Sequence, residues 1–228
     1  MTNLPRSSAS PSHPAFPFFC PHFFAGTIPS SSFFRISCLL TLLAFPLPAS
    51  AHLVSTGMGP VYDGIGHFLL TPEDWVPVLA LALFAGLRGA KAGRCALFLL
   101  PVAWVAGGFL GLSATTVPAI PIPAISFLIL GLLVASDLPL SPNVVVALAV
   151  GLGLVQGLLN GASFRSAGAG ALDLVGVIAT IFVFVALVAA LVISLKPPWT
   201  RIVVRVMGSW IAASGLFMLG WFVRGHLN

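Results

Sequence analysis

The sequence predicts an all-α, polytopic membrane protein: a six-helix transmembrane bundle behind a cleaved signal peptide. Three observations lead there. Hydrophobic residues make up 58% of the 228 and charged residues only 7%, with a mean hydropathy of +1.09. A soluble domain carries about a quarter charged residues, so most of this chain's surface must face lipid. Six apolar segments follow one another, each broken from the next by Gly, Pro or charge. Ahead of them stands a short apolar run with the form of an export signal.

Residues 1–34 are rich in Ser, Pro and Phe without periodicity and read as a disordered N-terminal extension. Residues 35–51 read as the signal peptide. Arg35 precedes an apolar core from Ile36 to Phe45, and Ala49-Ser50-Ala51 supplies a small-x-small cleavage site. That core is too short to cross a bilayer. Residues 52–228 form the six-helix transmembrane domain. Cleavage removes Cys20 and Cys38 and leaves Cys95 alone, which excludes an intrachain disulfide and a thiolate metal cage.

The apolar segments run Pro72–Leu87, Arg94–Leu112, Ile122–Ser136, Val144–Asn160, Leu172–Leu195 and Arg201–Val223. The first and third fall short of the roughly 20 residues of a spanning helix. They are extended by flanking residues, tilted, or partly re-entrant. Export of the new N-terminus sets the direction of the first helix inward. Arg88, Lys91 and Arg94 then lie in one cytoplasmic loop and Lys196, Arg201 and Arg205 in another, while Arg165 and Arg224 stay outside. The positive-inside rule gives the same topology. The sequence thus predicts a multi-pass protein of the cell inner membrane with both mature termini outside. Basic residues at helix ends need no nucleic-acid partner. Glycines in "GGFLG" and "GLGLVQG" fit close helix packing.

With that topology, the ionisable groups gather at the outer surface. Cleavage after Ala51 makes His52 the first residue, whose amine and imidazole can chelate one metal ion; the alternative is a plain chain end. Asp63 and His67 share a face if "VYDGIGHFLL" is helical, although three glycines weaken that helix. An Asp–His pair binds a metal, or the carboxylate merely orients the ring. "TPED" is a good helix start, with Thr71 as N-cap, Pro72 at the first position and acids in the first turn. Capping is the stronger reading of Glu73; for Asp74 capping and ligation stand level, and Asp173 opens the fifth helix by the same device. Gln156 and Asn160, four apart, offer carbonyl oxygens to an ion or hydrogen-bond a neighbouring helix. Asn160-Gly161 also has the look of a helix end. The residues expected to meet an ion are His52, Asp63, His67, Asp74, Gln156 and Asn160.

The order of these features resembles the HupE/UreJ family of hydrogenase and urease accessory membrane proteins, regarded as nickel permease-like. The resemblance rests on a leader ending just before "AH", on "GIGHFLLTPEDWVPVLALALFAGL", on "LFLLPVAWVAGGFLGL" and on "GLGLVQGLLNG". The family's first helix looks like His-Pro-x-x-G-x-Asp-His and its fourth has His-Gly-x-x-His-Gly. By position, His67 matches the first histidine, Glu73 the aspartate and Asp74 the second histidine, while Gln156 and Asn160 stand at the two fourth-helix histidines. Three imidazoles have become oxygen donors. Imidazole suits nickel, whereas carboxylate and amide oxygens suit harder ions.

The resemblance implies a divalent transition-metal permease (nickel, or alternatively Co, Cu or Zn) or a metal-delivery accessory protein. Its partners are the lipid bilayer, the transported ion and a metalloenzyme maturation protein. A non-transporting assembly factor that has lost the ligand histidines is the rival reading. An intramembrane enzyme is not expected, because Ser163 has no nearby base in the sequence. A phosphate-binding GxxxxGK[ST] loop is absent.

Overall fold

A computed structural model describes residues 56–114, 120–195 and 198–227, all within one compact unit spanning Ser50–Asn228. The expected N-terminal extension, signal peptide and His52 lie outside the described residues.

Seven helices and no strand occur among the described residues: α1 Pro60–Leu70, α2 Pro72–Leu87, α3 Ala90–Ser113, α4 Ile122–Ser136, α5 Pro142–Ser166, α6 Ala171–Ser194 and α7 Pro198–Leu227. Four of them, α3, α5, α6 and α7, are long and apolar enough to cross a membrane. A fifth span arises if α1 and α2, bent by 73° at their junction, are counted as one broken crossing. α4 is apolar but shorter. Against the expected six helices, the described residues hold seven helices, of which four to five are candidate spans. The difference comes from "PVYDGIGHFLL", which is helical despite its glycines. α5 also runs six residues past Asn160, so Asn160-Gly161 is helix interior rather than a helix end.

The bundle is organised around α2. Every residue from Ala80 to Gly86 is buried, because α1, α3, α4, α5, α6 and α7 all pack against it. The helices around it pair through small residues. In α3 and α5, a Cβ added at Gly107 would overlap the carbonyl of Leu154, and one at Gly161 would overlap the carbonyl of Gly108. Gly131 and Gly208 do the same work between α4 and α7, and Gly64 and Gly176 between α1 and α6. Without a hydrophobic force between helices in lipid, backbone contact of this kind supplies the packing. Large apolar side chains such as Phe98, Leu187 and Trp210 point outward, as a lipid-facing surface requires.

The end of the bundle opposite the α1–α2 junction is tied by charge. Asp137 ends α4 in the left-handed conformation, with φ of 50°. Its carboxylate accepts from Arg88 at the end of α2 and from Arg201 in the first turn of α7. Arg205 adds a hydrogen bond to the Ala135 carbonyl at 2.8 Å. One acid thus joins three helix ends. The sequence reading passed over Asp137, although its position just after an apolar segment between two basic loops was the available signal.

Candidate functional site

Pro72 sets the site's geometry. It cannot continue α1, so the chain bends at Thr71, which is extended (φ −105°, ψ 94°). Thr71 occupies the N-cap position as expected, but its hydroxyl makes no capping hydrogen bond. Its carbonyl instead accepts from Asp74 N at 3.0 Å, closing the first turn of α2. The bend folds the end of α1 back over the start of α2. His67 and Asp74 are brought together by this fold rather than by one continuous helix.

His67 Nε2 stands 3.4 Å from Asp74 Oδ2. That is longer than an N–H···O hydrogen bond of 2.7–3.2 Å. It lies within ion-pair range instead. The imidazole packs edge-on against Phe164 of α5, with ring centroids 4.9 Å apart. Asp74 is 5% exposed.

α5 supplies the other wall. Asn160 Nδ2 donates to Asp74 Oδ1 at 2.8 Å, with Asn160 4% exposed. This bond orients the amide, because turning it over would set a carbonyl oxygen against the carboxylate. Asp74 Oδ2 and Asn160 Oδ1 are both buried and without a hydrogen-bond partner. Buried polar atoms of this kind are rare and costly, and one of them, Asp74 Oδ2, faces the His67 imidazole.

Gln156 has a different task. Its Nε2 donates to the Glu73 carbonyl at 2.7 Å. In a regular helix that carbonyl accepts from the residue four positions on, which here is Pro77 and has no N–H. Gln156, 1% exposed, therefore satisfies an acceptor that Pro77 orphans. The Glu73 side chain is exposed in the first turn, consistent with the dipole role.

Asp63 sits apart from this group. Its Oδ1 accepts from Thr56 N at 2.5 Å and from Thr56 Oγ1 at 2.6 Å, pinning the chain entering α1. Asp173, at the start of α6, caps it: Oδ2 accepts from Gly170 N at 2.9 Å. The structure thus gathers His67, Asp74, Gln156 and Asn160, and leaves Asp63 in a local clamp. Among the described residues, no three His, Cys, Asp or Glu side chains form a group able to hold a metal by themselves. Any ion held here takes amide oxygen as well.

The profile of the family described as HupE / UreJ protein matches residues 40–218, more than three-quarters of the chain. No curated protein and no solved structure gives a significant match.

Proposed function

The chain belongs to the HupE/UreJ family, and from that premise we propose that it binds a divalent transition-metal ion and passes it across the inner membrane or on to an accessory partner. At family level it is a transporter-like or accessory membrane protein. The ion-binding reading is carried by one observation: His67 Nε2 lies 3.4 Å from the buried, unpartnered Asp74 Oδ2, while the other oxygen of Asp74 is held by Asn160, whose own Oδ1 is buried and unpartnered. Gln156 holds the kinked start of α2 in place, so the ligands are positioned before the ion arrives.

In this reading the bent α1–α2 pair is one crossing and α4, packed along α7, is the sixth. The site then lies at the outer end, and the Arg88–Asp137–Arg201 cluster at the cytoplasmic end. The basic loops at that end agree with the positive-inside rule. The ion is nickel or a neighbour such as Co, Cu or Zn. His52, if it becomes the new terminus, adds a capture site outside, and Asp63 anchors the segment that carries it. Passage inward requires a second state in which the ion binds less tightly and the Asp137 end opens.

The test is binding and vesicle uptake of Ni²⁺ and Co²⁺ by the full chain and by His67→Ala. Loss of both in the variant supports the site; unchanged binding and uptake reject it. A second reading is a non-transporting assembly factor; it is supported by the oxygen donors that stand where the family carries three histidines, and among the described residues no three His, Cys, Asp or Glu group together. Protein that binds none of Ni, Co, Cu or Zn, yet co-purifies with a metalloenzyme maturation subunit, selects that one.

A further inference from the structure

Three carboxylates are buried or nearly so in the described part of the bundle, and they are treated differently. Asp137 is met by two arginines. Asp74 and Asp173, each 5% exposed, have no Lys or Arg ion-pair partner among the described residues. A buried carboxylate without a counter-charge is expensive. For Asp74 the proposed ion answers that cost. Asp173 is met so far only by the start of α6, which it caps.

Its placement supplies an answer. α6 crosses α1 so closely that a Cβ at Gly64 would overlap the Asp173 carbonyl oxygen. Three residues after Gly64, on the same side of α1, comes His67. The second close approach, Gly176 against Val61, fixes the crossing and the level of Asp173 along it. Because Gly64 meets Asp173 and Val61 meets Gly176, the two helices run antiparallel, and the Asp173 carboxylate, turned back to Gly170 N, faces the His67 end of α1. Of its oxygens, Oδ2 is committed to Gly170 N. Arg165, the basic residue nearest in sequence, is exposed and donates to the Ala114 carbonyl at 2.8 Å instead.

We propose that Asp173 is a positioning carboxylate of the ion site: from α6 it supplies the second negative charge that balances a divalent cation held by His67, Asp74 and Asn160. The inference rests on the ion-binding reading above and extends it to a fourth helix. Asp74 alone offers one negative charge against two positive ones. Asp173 acts through the field and through His67, not by touching the ion. Its cap to Gly170 holds the charge at a fixed place in a poorly solvated region, where such a field is effective.

Capping and charge can be separated. At this third helical position Asn can still offer its amide oxygen to Gly170 N, but it carries no charge. Binding of Ni²⁺ and Co²⁺ to the detergent-solubilised full chain is measured by calorimetry for wild type, Asp173→Asn, Asp173→Ser and Asp173→Ala, alongside thermal midpoints without metal. Asp173→Asn and Asp173→Ser should weaken the ion by about ten-fold or more, with midpoints above that of Asp173→Ala. Asp173→Ala should weaken binding similarly and lower the midpoint as well. Wild-type affinity in Asp173→Asn, with binding still abolished by His67→Ala, overturns this inference and leaves the ion site standing. A wild-type chain that binds neither ion overturns both.

Discussion

Asn160 Nδ2 donates to Asp74 Oδ1 at 2.8 Å, a buried bond between residues 86 positions apart. It links α5 to the first turn of α2 and sets the direction of both free oxygens. Asn160→Ala removes the donor and leaves both Asp74 carboxylate oxygens without a hydrogen bond. The variant should lose about 1–3 kcal/mol of stability. Denaturant titration in detergent without metal measures this.

Gln156 and Pro77 form a testable pair. Gln156→Leu strands the Glu73 carbonyl and should cost about 1–3 kcal/mol. Pro77→Ala restores an N–H four residues after Glu73, so in the double variant the loss should shrink. A double-mutant cycle with no coupling between the two positions would show that Gln156 does not serve the carbonyl orphaned by Pro77.

The glycines of α5 differ in what they face. Gly161 lies against the Gly108 carbonyl, while Gly151 has open space around it. Gly161→Ala should destabilise by about 1–3 kcal/mol through forced separation of α3 and α5. Gly151→Ala should be neutral or stabilising by up to about 1 kcal/mol, the helix-propensity difference. Thermal midpoints of the two variants compare them directly.

At the other end, Asp137 holds Arg88 and Arg201 together. Asp137→Ala leaves Arg88, buried beneath Phe84, without its counter-ion. A loss of about 3–5 kcal/mol is expected. Exchange of the charges, Arg88→Asp with Asp137→Arg, should recover part of it; recovery to no degree argues against the pair as the source.

Binding and stability are linked. A divalent ion at about 100 times its dissociation constant should stabilise the wild-type chain by about 2.7 kcal/mol and the His67→Ala variant not at all. Equal stabilisation of both chains would place the ion elsewhere.

The amino-acid sequence by itself determined the class of the protein and most of its helices. Lipid leaves few ways to bury a backbone, so apolar length, Pro and Gly mark helices directly. Pro72–Leu87 and Ile122–Ser136 have the expected bounds, and the other segments differ by residues at their ends. His67, Asp74, Gln156 and Asn160 were legible as candidates because polar groups are scarce in such a chain. Tertiary structure decided the rest. The 73° bend at Thr71 brings His67 to Asp74, and no local pattern gives its direction. Whether Gln156 serves an ion or a stranded carbonyl depends on which helix lies opposite. Asp63 and Thr71 show the same limit, since a clamp and a silent cap differ only in which atoms face them. Periodicity fixes the face of a helix, but what that face meets is set by backbone approach at Gly64, Gly107 and Gly161, through contacts between residues far apart in the chain.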